Sequence, residues 1–167
     1  DGEGYSPQIS ATGVSIIFIG GFIGKVISGK LAEMIGRKIV LVGGVAMMLL
    51  GSLLIVSSIF YKNPLLIWIG LTLYGTGWGG LYTLIQLLVA DLFGLIAIGK
   101  IMGVINIIDT IGGGLGPIIT AVIYDSTQNY LTPFLVICGL LTVALVSSSM
   151  LKIDDNAICL LYTSPSP

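Results

Sequence analysis

The chain has 167 residues, of which 55% are hydrophobic and 9% charged, and it contains no histidine. A water-soluble domain carries about 25% charged residues, so this composition excludes an ordinary soluble fold. A net charge of −1, with seven Lys and Arg residues spread along the chain, also excludes the basic stripe that a nucleic-acid partner requires.

In chain order, the first ten residues open on Asp1 rather than Met and read as a polar external loop, with further sequence expected upstream. Charge-free stretches then set the helices. No charged residue lies between Lys38 and Lys62, between Lys62 and Asp91, or between Asp125 and Lys152. Each gap exceeds the ~20 apolar residues that cross ~30 Å of hydrocarbon as a helix. These gaps predict spans at about 39–60, 64–89 and 132–151, and two more apolar stretches, 11–31 and 101–124, each hold one charge, Lys25 and Asp109.

In lipid the backbone must satisfy its own hydrogen bonds, which leaves helices or a closed barrel. Barrel strands alternate in polarity over ~10 residues, whereas these runs are apolar on all sides. The expected class is an all-α membrane protein, a bundle of five transmembrane helices over residues 11–152. Basic residues near span ends orient it. Lys30, Arg37, Lys38, Lys100 and Lys152 fall on one side and Lys62 alone on the other, which places the former, and the C-terminus, in the cytoplasm. Residues 153–167 are then a cytoplasmic tail. Within it, 157–167 (AICLLYTSPSP) breaks the pattern and reads as a sequencing artefact or a short flexible tail. Cys138 lies inside the last span as a small packing residue, and neither a cofactor nor a metal site is expected.

The first cytoplasmic connection reads Gly29-Lys30-Leu31-Ala32-Glu33-Met34-Ile35-Gly36-Arg37-Lys38. It is a helix end with a stop at Gly36, a carboxylate one turn earlier and two cations before the next helix. A positive-inside loop explains the cations but not the Gly, acid, Gly, Arg, Lys spacing. This loop resembles the signature of the major facilitator superfamily, with Glu33 where Asp is usual. The resemblance implies a conformational latch made by Gly29, Glu33, Gly36, Arg37 and Lys38.

Leu92-Phe93-Gly94, Gly99-Lys100-Ile101-Met102-Gly103, Gly112 to Pro117 and Tyr124-Asp125-Ser126-Thr127, with Tyr130 and Phe134, resemble the family's last two helices and the loop before them. The pattern looks most like the monocarboxylate and oxalate:formate branch. It implies that the five spans are helices eight to twelve, the C-terminal half of a larger carrier, with the N-terminal half of that carrier missing.

Lys25 lies ~15 Å from the cytoplasmic turn at 1.5 Å per residue. An intramembrane charge is by default a functional hypothesis, and the bland alternative is a stem that snorkels to the interface. In the monocarboxylate branch an Arg in matching register binds the substrate carboxylate. The resemblance thus implies the same role for Lys25, without the bidentate fork of Arg. Asp109 lies at similar depth, and Asn106, Asp109, Thr110 and Gly113 form a polar stripe. Two roles stand open for Asp109: a protonatable coupling group, or a fixed partner that neutralises Lys25. Tyr74, Trp78, Tyr82 and Gln86 recur every four residues; Tyr74 and Trp78 are placed deep enough to touch substrate, and Tyr82 and Gln86 read as interfacial.

Gly75-Thr76-Gly77-Trp78-Gly79-Gly80 matches a dinucleotide-binding pattern, but that pattern needs a preceding strand and an aqueous helix start, and it is rejected. The pairs Gly20 and Gly24, Gly75 and Gly79, Gly99 and Gly103, and Gly112 and Gly116 instead predict close helix packing, and Pro117 predicts a bend.

The expected function is secondary transport by alternating access, in a plasma or bacterial inner membrane. A small monocarboxylate or dicarboxylate, carried with a proton or in exchange, is the favoured cargo. The alternatives are a neutral or amphipathic solute, with Lys25 and Asp109 merely paired, or a non-transporting receptor derived from a carrier. An enzyme is not expected, because the spans gather no nucleophile, base and metal-ligand cluster at one depth. The expected partners are thus the small-molecule substrate and proton, the lipid bilayer and the absent half of the carrier.

Overall fold

Long apolar runs give long helices, and the breaks between them are single residues or tight turns. The computed structural model describes residues 7–151, and outside residues 7–10 and 95–97 it describes their side chains as well. The expected tail and Lys152 lie outside the described residues. Helix α1 runs over Pro7–Ile35, α2 over Arg37–Tyr61, α3 over Pro64–Thr127 and α4 over Leu131–Met150. Residues 7–10 of the expected external loop are therefore helical.

Helix α3 is not one rod. Gly94 has φ 72° and ψ 169°, a combination open to Gly because it lacks Cβ. A straight helix would separate Tyr82 and Asn106 by about 36 Å, yet the Tyr82 hydroxyl lies 3.4 Å from Asn106 Oδ1. The chain therefore reverses at Gly94, dividing α3 into a first arm (64–93) and a second arm (95–127). With the two arms counted separately, the described chain is a five-helix up-and-down bundle.

The reversal at Gly94 is the connection expected between the spans at 64–89 and 101–124. Pro117 sits inside the second arm, within a stretch whose dihedrals stay helical. Neighbouring backbone adjustments and hydroxyls make Pro tolerable in a transmembrane helix, and Thr120 Oγ1 donates to the Gly116 carbonyl at 2.8 Å.

The other connections are capped locally. Gly36, at φ 94°, alone separates α1 from α2. Lys62 adopts the left-handed conformation and Asn63 accepts a 3.0 Å hydrogen bond from Leu65 N, with Pro64 opening α3. Gln128 is likewise left-handed and Asn129 accepts from Leu131 N at 2.8 Å. Each device satisfies amides that a helix start leaves without partners.

The first arm of α3 is the centre of the bundle, with α1 on one side and α2 on the other. Small residues make this possible. A Cβ added to Gly79 would fall inside the backbone of Gly21 on α1, and one on Gly77 would lie 2.6 Å from the Gly44 carbonyl oxygen on α2. Gly51 and Gly70 repeat this on the α2 side, at 2.6 and 2.8 Å from each other's carbonyl oxygens. The glycine run 75–80 is thus a two-sided packing strip. Leu84, fully buried, forms the densest core with Ala32, Val40 and Leu41.

The expected packing at Gly20, Gly24, Gly75 and Gly79 is met. At Gly99, Gly103, Gly112 and Gly116 it is not, since no described atom lies within 4 Å of an added Cβ. Those four lie on the second arm, which presents most of its surface outward, while α4 packs chiefly against α2.

Among the described residues, four segments are long and apolar enough to cross a membrane: Ala11–Ile35, Arg37–Tyr61, Ile98–Thr127 and Leu131–Met150. The first arm, predicted as a span, is absent from that set because glycines and aromatic residues dilute its hydropathy. Its position explains the dilution. A helix flanked by two others faces protein rather than lipid, and small residues there gain more from close packing than large apolar ones.

Candidate functional site

Two groups of functional side chains emerge, one at the Gly36 end of the bundle and one farther along α1. At the Gly36 end the guanidinium of Arg37 forms an ion pair with the carboxylate of Asp91. Antiparallel packing of α2 on the first arm brings the start of one beside the end of the other. The Asp91 side chain is 3% exposed and that of Arg37 22%. Arg37 and Lys38 open α2 with no acid in its first turn, so two cations sit at the positive end of the helix dipole. Asp91 supplies the missing negative charge from another helix. The helix runs on past Asp91 to Gly94.

Of the other residues expected to form the latch, Gly29 is half-buried against Thr83, whose methyl is 3.9 Å from an added Cβ, and Glu33 is exposed. Asp91 escaped the sequence reading, which used it only as a span limit. Its signal was an acid at the same end of the bundle as Arg37, with no base nearby in its own helix.

The second group surrounds a cavity of about 280 Å³ lined by Lys25, Trp78, Gly79 and Tyr82. The close crossing at Gly21 and Gly79 brings α1 and the first arm together here. Lys25 Nζ lies over the Tyr82 ring, 5.3 Å from its centroid, a cation held by the ring's negative face. Phe18 meets Trp78 edge-on at 6.0 Å between centroids, and Trp78 remains 40% exposed. The cavity offers one full charge, two aromatic faces and a backbone stripped of side chain at Gly79. A second depression of about 290 Å³, lined by Trp68, Ile69, Thr72 and Leu73, offers no charge.

Three of the predicted binding residues come together: Lys25 and Trp78 in the cavity, and Asn106 through Tyr82. Tyr74 is half-buried on the α2 side, its backbone against Gly51, because each four-residue step along a helix turns 40° beyond a full circle. Asp109 is exposed on the second arm, and no ion pair joins it to Lys25. Thr110 donates to the Asn106 carbonyl at 2.7 Å, and nothing described packs on Gly113. Tyr82, expected from its spacing to be interfacial, lies between Lys25 and Asn106 and contacts both.

Residues 3–157 match the Major Facilitator Superfamily. The chain belongs to that superfamily. It is an integral membrane protein, as its apolar helices require. Among curated superfamily members it is 37% identical over 91 residues to the efflux pump dotC of Dothistroma septosporum, covering 54% of this chain and 15% of that protein. It is 33% identical over 99 residues to the MFS-type efflux transporter ffsH of Aspergillus flavipes, covering 59% of this chain and 17% of that protein. The chain thus spans about a sixth of the length of these curated relatives. No solved structure matches it.

Proposed function

We propose that these helices are the C-terminal part of a longer secondary transporter that moves a small organic anion by alternating access, with Lys25 holding the anion. The observation that carries this reading is the cavity between α1 and the first arm, where Lys25, Trp78 and Tyr82 converge. A cation free of any carboxylate partner favours an anionic group, and the aromatic walls favour an apolar body attached to it. This suits a monocarboxylate-type cargo and agrees with the register of Lys25. The named functions of the two relatives point to export as the direction of transport. In this reading the Gly36 turn, with Glu33, Lys38 and the Arg37–Asp91 pair, is the latch on the cytoplasmic face. We take Asp109, exposed on the second arm, as the protonatable coupling group of this reading.

The test uses the full-length protein in proteoliposomes, with labelled lactate and benzoate, with and without a pH gradient. A charge-assisted hydrogen bond contributes about 1.5–3 kcal/mol, so Lys25→Gln lowers kcat/KM for the anions by roughly 10- to 100-fold, and Lys25→Arg retains most of it. Anion flux by Lys25→Gln at the unsubstituted rate overturns the reading. Loss of the pH-gradient dependence in Asp109→Asn is expected if Asp109 carries the proton.

A further inference from the structure

Tyr82 stands where three helices meet. Its backbone belongs to the first arm of α3, its ring carries the Lys25 ammonium of α1 at 5.3 Å, and its hydroxyl donates to Asn106 Oδ1 of the second arm at 3.4 Å. We propose that Tyr82 is a positioning residue: its ring parks the Lys25 ammonium in the cavity, and its hydroxyl couples that site to closure of the second arm about Gly94. The proposal rests on the reading of Lys25 as the anion-holding cation.

The ring and the hydroxyl do different work. A cation over an aromatic face is attracted without being neutralised, and the attraction is modest where water reaches it. Lys25 is exposed, and among the described residues no ion pair engages it. An entering carboxylate therefore competes with a ring and not with a resident acid. Its charge-assisted hydrogen bond is the stronger contact, so the ammonium is drawn from ring to anion without breaking a salt bridge. A partner such as Asp109 in that place would oppose the exchange.

The hydroxyl contact is long. At 3.4 Å it exceeds the roughly 2.7–2.8 Å typical of hydroxyl hydrogen bonds, and a small rotation of the second arm makes or breaks it. The joint allows such a rotation: Gly94 takes a conformation that L side chains rarely adopt, and nothing lies within 4 Å of an added Cβ there. Asp109 follows Asn106 by three residues and so lies one turn along the same face. Any movement that separates Asn106 from Tyr82 carries Asp109 with it. One side chain thus links the occupancy of the cation site to the position of the acid on the second arm.

The test reads both halves of the role without cargo, in the full-length protein reconstituted in lipid. Acylation of Lys25 by a small amine-reactive ester, followed by mass spectrometry, reports the ring. Tyr82→Leu speeds labelling roughly fivefold, the size of a partly exposed cation–π contact, whereas Tyr82→Phe, which keeps the ring, stays within about twofold. Spin labels on the exposed positions Gln86 and Val104 report the two arms. Tyr82→Phe and Asn106→Ala each lengthen and broaden the inter-label distance, and the double variant goes no further, because both remove the same contact. Equal Lys25 labelling in Tyr82→Leu and unsubstituted protein, or unchanged distances in Tyr82→Phe and Asn106→Ala, overturns the proposal. Lys25-dependent anion flux is scored separately, so failure of the positioning role and failure of the transport reading are distinguishable.

Discussion

Replacing Arg37 by Gln leaves the Asp91 carboxylate, with 3% of its side chain exposed, facing a neutral amide. Removing one member of a buried pair costs about 3–5 kcal/mol. The lower end applies here, because Arg37 keeps 22% of its side chain exposed and solvent screens the pair. Asp91→Asn has the opposite defect. It leaves Arg37 and Lys38 together at the positive end of α2 with no acid in the first turn, each opposed by the helix dipole by about 0.3–1 kcal/mol. Arg37→Gln is destabilised by about 3 kcal/mol and Asp91→Asn by about 1–2 kcal/mol, whereas Arg37→Gln with Asp91→Asn places two neutral amides in contact and recovers about 2 kcal/mol of the summed loss. The assay is thermal unfolding of the purified full-length protein in one detergent, run as a double-mutant cycle at fixed pH. Two single effects that simply add in the double variant, within about 0.5 kcal/mol, would refute the claim that this pair is what joins α2 to the first arm at this end.

Gly79→Ala places a methyl inside the Gly21 backbone and forces α1 away from α3, with a loss of about 3 kcal/mol or more and poor recovery of folded protein on size exclusion. Gly103→Ala, where nothing lies within 4 Å, serves as the control and gains up to about 1 kcal/mol of helix propensity. Gly94→Ala keeps the space but not the dihedrals, since φ is 72° and the site is open; it costs about 1–3 kcal/mol, read as a lower unfolding midpoint and a changed distance between spin labels on the two arms. Pro117→Ala shifts the midpoint upward or not at all, because Pro117 already lies within a continuous helix; a changed inter-arm distance in that variant would return the hinge to Pro117.

Most of the architecture was legible as a list of distances between charges. Runs longer than a bilayer is thick must be helices, and turn residues such as Gly36 and the Asn63-Pro64 pair mark where each helix restarts. The latch spacing and the glycine pairs of α1 and the first arm were legible for the same reason, since a short-range pattern dictates a local conformation or a helix face. Lys25 stood out because an isolated charge in an apolar run has few neighbours to explain it.

What the sequence could not decide is who meets whom across helices. Glycines at helical spacing look alike on the first arm, where they meet α1 and α2, and on the second arm, where nothing described lies against them. Glu33 and Asp91 are equally plain acids at span ends, yet among the described residues Asp91 is the one held by Arg37, because that depends on α2 running antiparallel to the first arm. Tyr82 and Tyr74 share a four-residue ladder, yet the 40° excess at each step and the glycine-tight crossings put Tyr82 at the cavity and Tyr74 beside α2. The chain by itself thus determined that it crosses a membrane as helices and where each one turns, because hydrophobic length and turn chemistry are local quantities. The tertiary structure alone decided the partners of Lys25, Arg37 and Asn106, because those contacts follow from how closely glycine faces let whole helices approach.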